Sequence, residues 1–234
     1  MLLEAYGSYG YIIYPKFSES QLTLLDRGFI YGIAHVRGGQ DKGRKWYEEG
    51  KLLKKKNTFM DFISCSKHLI TTNYTSKDKL IIRGVSAGGL LIGAVINIQP
   101  GLFKAAIMEV PFLDILNTIS DPSLPLSSID YEEWGNPQSK KNYNYIKSYA
   151  PYENIKRQAY PNILITTGIN DTRVPYWESA KFVAKLRALK TDNNYLMLKT
   201  YLTAGHSGPS GRYEKIQKRA FEYAFLINLV GAFD

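Results

Sequence analysis

The chain has 234 residues, of which 44% are hydrophobic and 22% are charged, so its composition is that of a globular domain and excludes an intrinsically disordered chain. The net charge of +9 raises nucleic acid as a partner, but no helix-turn-helix, zinc-finger or RNA-binding aromatic motif accompanies it. The apolar stretches are too short to cross a bilayer. A single cysteine cannot form an internal disulfide, and three scattered histidines without cysteine partners do not form a zinc site. We therefore expect a cytoplasmic protein that binds neither nucleic acid nor membrane.

Apolar runs and helical patterns alternate along the chain. Strands are predicted for the apolar runs at residues 29–36, 79–85, 105–110, 161–168 and 195–202. Helices are predicted at residues 57–70, 87–98, 176–189 and 213–230. The run at 29–36 is apolar and β-branched enough to predict a strand buried on both faces. This alternation predicts an α/β fold with a doubly wound, mostly parallel sheet and helices on both of its faces.

Two segments depart from this pattern in composition. Residues 112–160 are rich in Pro, Ser, Asn and Tyr, and we expect an irregular insertion over one end of the sheet. Residues 105–139 contain no Lys or Arg and carry six carboxylates, at Glu109, Asp114, Asp121, Asp130, Glu132 and Glu133. In a basic chain this acidic segment is a candidate site for a cationic ligand, although chance surface composition would look the same. The basic run at 51–56 is interpreted as solvated surface.

A serine stands between a predicted strand and a predicted helix, in the sequence GVSAG at residues 84–88. This is the G-x-S-x-G pattern, in which a sharp turn exposes a nucleophile and the following helix directs its first amides at an oxyanion. A glycine-rich turn used for packing or phosphate binding is the alternative, but the stretch does not match G-x-G-x-x-G and the chain has no phosphate-binding G-x-x-x-x-G-K-[ST] motif. We therefore predict that Ser86 is a nucleophile and that the Ala87 amide stabilises an oxyanion.

A serine nucleophile needs a base and an orienting acid, which in this fold follow it in the order acid, then histidine. His206 is the only histidine after Ser86, and it directly follows the strand predicted at 195–202. Asp171 follows the strand predicted at 161–168. Each has another explanation when taken alone, as a surface histidine or a turn former. Their order, at the ends of separate strands, predicts a catalytic triad.

Longer stretches resemble the prolyl oligopeptidase family of serine peptidases over almost the whole chain. They include YGSYG, RGFIYGIAHVRGG, GVSAGGLL, YEEWGNP, TTGINDTRVPYWE and AGHSGPSGRYEK. The resemblance implies an α/β-hydrolase fold and peptidase activity with the triad Ser86, Asp171 and His206. It also implies that the Tyr6 phenol joins the Ala87 amide in the oxyanion hole, and that no metal or organic cofactor is required.

Within this family the chain is most similar to the branch that cleaves short peptides after Arg or Lys. By that resemblance, Asp130 and Glu132 would bind the basic P1 side chain and Phe112 would stack on a guanidinium. Arg173 would hold the substrate backbone. The sequence departs from the family pattern at Asp130, where Glu is usual, and the shorter carboxylate would weaken or shift the preference for Arg.

Members of this family also carry a β-propeller and an N-terminal segment that completes the hydrolase domain. Neither is recognisable in this sequence, so we expect residues 1–234 to be a single hydrolase domain without the propeller and the first strand or two of the sheet. A fragment of a longer propeller-containing protein, a split-gene product and a degenerate copy all fit this expectation. Two functions compete with a peptidase: a general esterase or acyl-peptide hydrolase, and a non-catalytic fragment that binds or assembles with a partner chain.

Overall fold

The protein is described by a computed structural model, which covers residues 1–124 and 129–231. Its strands are β1 (Leu2–Glu4), β2 (Tyr31–Ile33), β3 (Ile81–Val85), β4 (Ala105–Glu109), β5 (Asn162–Gly168) and β6 (Leu196–Tyr201). Within the described residues these form one six-stranded sheet in the order β2-β1-β3-β4-β5-β6. All neighbouring strands in it are parallel, so the predicted parallel α/β sheet is confirmed.

Helices cover both faces of this sheet. Those of the described residues are α1 (Glu19–Leu25), α2 (Arg44–Glu48), α3 (Lys56–Thr71), α4 (Ala87–Ile98), α5 (Ile115–Ser120), α6 (Tyr131–Trp134), α7 (Lys140–Lys147), α8 (Tyr176–Leu189) and α9 (Arg212–Val230). Apolar residues of α3, α4 and α8 form one core cluster with the sheet, and residues of α1 and α9 form a second. Among the described helices, none has both the length and the apolar character that a membrane span requires.

The strand β3 shows why apolar residues follow one another directly in a central strand. Ile81 lies in the cluster under α1 and α9, whereas Ile82 lies in the cluster under α3, α4 and α8. Successive side chains of a strand point to opposite faces, and both faces of this sheet are covered by helices. A central strand of such a sheet therefore buries apolar residues on both faces, as β3 does at Ile81 and Ile82, whereas its Arg83 and Val85 are half-buried.

The prediction for residues 29–36 is wrong in length and in burial. The strand there is β2, which spans only Tyr31–Ile33, and all three of its residues are half-buried. In the described sheet β2 is an edge strand that pairs with β1 alone. An apolar run reports the hydrophobicity of its residues but not whether a neighbouring strand covers them. The short strand β1 was not predicted at all.

The prediction that residues 112–160 are irregular is wrong, because this segment contains α5, α6 and α7. Its buried side chains, among them Leu113, Trp134 and Ile146, belong to the same core cluster as α3 and α4. Residues 125–128 within this segment lie outside the described residues. The segment therefore contributes part of the hydrophobic core, and Asp130, directly before α6, lines a cleft that Ser86 also lines.

Candidate active site

Ser86 lies at the single position between the end of β3 and the start of α4. Its backbone has φ 55° and ψ −118°, a conformation that residues other than glycine rarely adopt. The turn is tight enough that a Cβ on Gly84 would lie 2.1 Å from the carbonyl oxygen of Gly88. Glycine is therefore needed at residue 84, and the strained turn holds the serine hydroxyl beyond the carboxyl end of the sheet.

The three predicted triad residues lie next to one another in the structure. Oγ of Ser86 is 3.0 Å from Nε2 of His206, and Nδ1 of His206 is 2.8 Å from Oδ2 of Asp171. A carboxylate can only accept, so Nδ1 donates to Asp171 and Nε2 of the neutral imidazole is left to accept the serine proton. This is the arrangement in which a histidine acts as general base toward a serine.

Asp171 is itself held by the loop that follows β5. Its Oδ1 accepts the backbone N–H groups of Arg173 and Val174, each at 2.9 Å. Its side chain is fully buried, whereas that of His206 is 18% exposed. The carboxylate is thus fixed in place and shielded from water, while the imidazole beside it keeps access to a substrate.

Two hydrogen-bond donors face the region next to the Ser86 hydroxyl. Ala87 is the first residue of α4, so its N–H has no acceptor within the helix. Tyr6 follows β1, and its phenol lies in the same cleft as Ser86 and interacts with it. Burial, and next the negative charge of Glu133, raise the pKa of Tyr6 to about 12, so this phenol stays protonated and able to donate. The pair has the composition of an oxyanion hole.

These groups line one large cleft. The cleft has a volume of about 1540 Å³, and its described lining includes the following candidate residues: Tyr6, Ser86, Ala87, Phe112, Asp130, Arg173 and His206. Glu132, which was predicted to bind substrate with Asp130, is exposed and is not among the described residues that line the cleft. The structure thus places three of the four predicted substrate-binding residues in the same cleft as Ser86.

Phe112 and Asp130 are both held in place by neighbouring side chains. The Phe112 ring is 4% exposed and packs edge-to-face on Trp134, with centroids 5.9 Å apart. Oδ1 of Asp130 accepts a hydrogen bond of 2.9 Å from the Tyr9 hydroxyl. Burial raises the pKa of Asp130, the hydrogen bond from Tyr9 opposes that rise, and the charge of Glu133 adds to it. A cationic group arriving in the cleft would favour the ionised carboxylate.

Sequence reasoning missed three residues around this site: Tyr9, Lys55 and Glu133. Lys55 belongs to the run at 51–56 that was interpreted as solvated surface, but its side chain is only 1% exposed, so that interpretation is wrong for this residue. A signal was present, because Lys55 precedes the buried Phe59 and Phe62 by four and seven residues and therefore shares their side of the helix. Nothing comparable distinguished Glu133 from Glu132.

The chain is similar to a known family and to known proteins. A family profile described as "Prolyl oligopeptidase family" matches residues 15–232. "Protease 2" of Moraxella lacunata is 50% identical over 231 residues, which are 99% of this chain and 34% of that protein. "Dipeptidyl aminopeptidase BI" of Pseudoxanthomonas mexicana is 47% identical over 99% of this chain and 32% of that protein.

Solved structures of oligopeptidase B are also similar to this chain. Oligopeptidase B from Leishmania major matches with a TM-score of 0.97 and 46% identity, over 99% of this chain and 32% of that chain. Oligopeptidase B from Trypanosoma brucei, with covalently bound antipain, matches with a TM-score of 0.96 and 49% identity, over 98% of this chain and 32% of that chain. The chain spans about a third of the length of the relatives it matches.

Proposed function

The chain belongs to the prolyl oligopeptidase family of serine peptidases and has an α/β-hydrolase fold, and on this basis we propose that it is an endopeptidase that hydrolyses short peptides after Arg or Lys. The observation that carries the proposal is the continuous contact from Ser86 through His206 to Asp171, at 3.0 and 2.8 Å. The Asp130 carboxylate in the same cleft supports the basic specificity.

The reaction is acyl transfer to serine. Ser86 attacks the peptide carbonyl while Nε2 of His206 takes its proton, and Asp171 stabilises the imidazolium that forms. The Tyr6 phenol and the Ala87 amide donate to the oxyanion of the tetrahedral intermediate. His206 then protonates the leaving amine, and the same groups activate the water that releases the acyl chain. No step requires a metal or an organic cofactor.

We attribute the specificity for a basic P1 side chain to residues that line the cleft. Oδ1 of Asp130 accepts a hydrogen bond from the Tyr9 hydroxyl, whereas no described residue donates a hydrogen bond to Oδ2. That oxygen can accept from a guanidinium or ammonium group in a charge-assisted hydrogen bond. The Phe112 ring provides an apolar surface for the P1 side chain, and Arg173 supplies donors for a substrate carbonyl. Glu132, being exposed, would act at longer range.

We also propose the partners and organisation that the family membership suggests. Residues 1–234 would form one hydrolase domain that associates with propeller and N-terminal segments, since the relatives are about three times as long. The half-buried edge strand β2 is where an added strand would pair. A cytoplasmic location remains a prediction from composition.

Two alternatives remain in competition with this activity. A general esterase or acyl-peptide hydrolase would use the same triad, but a neutral acyl substrate has no use for a carboxylate beside the nucleophile. A non-catalytic fragment that only binds a partner chain is favoured by the open edge at β2. The presence of the complete Ser86, His206 and Asp171 geometry argues against that alternative.

The test is kcat/KM of the 234-residue chain on a fluorogenic peptide with Arg at P1 and P2, beside a peptide with a neutral P1 residue. We expect cleavage that favours Arg and is lost in Ser86→Ala. Equal turnover of both substrates, or faster turnover of a neutral ester, would overturn the specificity. Folded protein that neither cleaves peptides nor reacts with a fluorophosphonate would overturn the activity.

A further inference from the structure

A buried ammonium group lies beside the active site without contacting the triad. Lys55 directly precedes α3, and its side chain is 1% exposed. Its Nζ donates to the carbonyl oxygen of Gly7 at 2.7 Å, to Oγ of Ser8 at 2.6 Å and to Oε1 of Glu133 at 3.3 Å. An ammonium has three N–H donors, and here each has an acceptor. All three N–H donors of the Lys55 ammonium are therefore used within the protein.

Two of the acceptors belong to the segment between β1 and α1, residues 5–18, which carries Tyr6 and is called the Tyr6 loop below. Gly7 directly follows Tyr6 and has φ +68°, and a Cβ there would lie 2.5 Å from Cγ2 of Thr58 in α3. The loop is thus packed closely against the first turn of α3, where a side chain at Gly7 would collide with Thr58. Because Lys55 binds the carbonyl oxygen of Gly7, the residue directly after Tyr6, it restrains the backbone from which the phenol is aimed at Ser86.

The third acceptor belongs to α6, the short helix that Asp130 precedes. Glu133 is 2% exposed, and its second oxygen accepts a hydrogen bond of 2.8 Å from the Tyr47 hydroxyl. The Lys55 ammonium also lies 4.5 Å from the centroid of the Trp134 ring, in cation–π range. One cation therefore contacts the Tyr6 loop on one side and α6 on the other.

A second link joins the same two elements. The Tyr9 hydroxyl donates to Oδ1 of Asp130 and accepts from Nε1 of Trp134, both at 2.9 Å. Tyr9 lies in the Tyr6 loop and has φ 58°, which a residue other than glycine adopts only under constraint. Two independent sets of hydrogen bonds thus fix the loop that supplies the oxyanion donor to the helix next to the P1 carboxylate.

We propose that Lys55 is a positioning residue that joins the oxyanion tyrosine and the basic-P1 site into one rigid unit, so that both depend on the same buried ammonium. Lys55 acts through Tyr6 and Asp130, and its role therefore rests on the proposed function. Burial is costly for this cation: it lowers the pKa of Lys55 to about 8, against the opposing charge of Glu133. A buried ion pair is weak support for stability, which favours a functional reason for its presence.

The first experiment compares Lys55→Met with Lys54→Met. Lys54 is the adjacent lysine, 53% exposed and paired with Glu49, so its replacement removes the same charge without touching the Tyr6 loop. With active sites titrated by a fluorophosphonate, we expect Lys55→Met to lower kcat by about tenfold to a hundredfold, less than the loss of an oxyanion donor outright. Its ratio of kcat/KM for Arg over neutral P1 falls as well, because Asp130 is displaced. Lys54→Met changes neither quantity.

The second experiment is a double-mutant cycle with Tyr6→Phe. If Lys55 acts by aiming the phenol, Lys55→Met causes no further loss of kcat once the phenol is gone. A purely structural role predicts losses that add. Should Lys55→Met fail to fold, Ser8→Ala removes one of the two acceptors that the loop offers to Lys55 and is taken through the same cycle.

The outcomes separate the two proposals. Active wild-type chain with additive losses, or with an unchanged Arg preference in Lys55→Met, overturns the role of Lys55 and leaves the peptidase assignment in place. A folded wild-type chain that shows neither Ser86-dependent cleavage nor reaction with the fluorophosphonate overturns both.

Discussion

Oγ of Ser86 and Nε2 of His206 lie 3.0 Å apart although 120 residues of chain separate them. The contact exists because β3 and β6, the strands that precede the two residues, run parallel in one sheet and end at the same edge. Asp171 follows β5, which lies between them in the sheet. The chemistry of the site is therefore a consequence of the sheet's topology.

Asp171→Asn is expected to lower kcat by about 10⁴ with little change in KM, the cost known for this change in a serine-protease triad. The amide would still accept the N–H groups of Arg173 and Val174 through its oxygen, so the loop should keep its shape. Its NH₂ group, however, would face Nδ1 of His206 and favour the wrong tautomer. Steady-state kinetics on the Arg peptide measure the effect.

The matched control for that variant is Asp192→Asn. Asp192 also accepts two backbone N–H groups, from Tyr160 and Asn194, and is not among the described residues that line the cleft. We expect its kcat to equal that of wild type. If Asp171→Asn kept most of the wild-type turnover, the triad assignment would be wrong.

Tyr6→Phe is expected to lower kcat by about 10²–10³, the cost of one oxyanion donor, with KM nearly unchanged. The loss should be equal for Arg and neutral P1 substrates, because the oxyanion forms in both reactions. Tyr74→Phe serves as the control, since Tyr74 is 60% exposed and does not line the cleft. A Tyr6→Phe variant that changed KM alone would place this residue in substrate binding.

Asp130→Asn is expected to lower kcat/KM for an Arg P1 substrate by about 10- to 100-fold, from the loss of a charge-assisted hydrogen bond. Turnover of a neutral P1 substrate should stay the same. Glu132→Gln should have a smaller effect in the same direction, since Glu132 is exposed. Asp121→Asn, in the same acidic segment but outside the cleft lining, should have none. Equal losses for both substrates would contradict a P1 role.

Much of this site was accessible from sequence because its signals are local. The G-x-S-x-G turn, and an acid and a histidine each placed after a strand, are read within a few residues, and parallel topology brings strand ends together. The family resemblance in the longer motifs, including that to oligopeptidase B, is confirmed by the similarity to known proteins.

What was missed depends on neighbours that are remote in sequence. The strand β2 is half-buried because only β1 pairs with it in the described sheet, which its apolar sequence does not reveal. Lys55 is buried because Gly7, Ser8 and Glu133 provide acceptors from two distant segments. Polar composition predicted solvent exposure for the run at 51–56, but a complete set of partners allows burial of one charge.

A buried carboxyl group away from the triad gives the last prediction, which concerns pH and stability. Glu178 in α8 is 0% exposed, and it accepts the backbone N–H of Asp114 and the hydroxyl of Thr118 at 2.8 and 2.6 Å. Burial raises its pKa to about 8 against these hydrogen bonds, from 4.5 in the unfolded chain. Between these values the folded chain holds a proton that the unfolded chain releases, so the free energy of unfolding falls as pH rises from about 4.5 to 8.

Glu178→Gln should remove this pH dependence, because the amide resembles the protonated acid and can accept from Asp114 and donate to Thr118. At pH 5 the variant and wild type should be similar in stability, whereas at pH 8 the variant should be more stable by on the order of 4 kcal/mol. Urea unfolding of both proteins at matched pH cancels the contribution of other groups, such as Glu222, whose pKa burial raises to about 7. Glu19→Gln, at an exposed carboxylate, is the control and should show no such gain. A constant difference between Glu178→Gln and wild type across this range would mean that Glu178 is ionised in the folded chain.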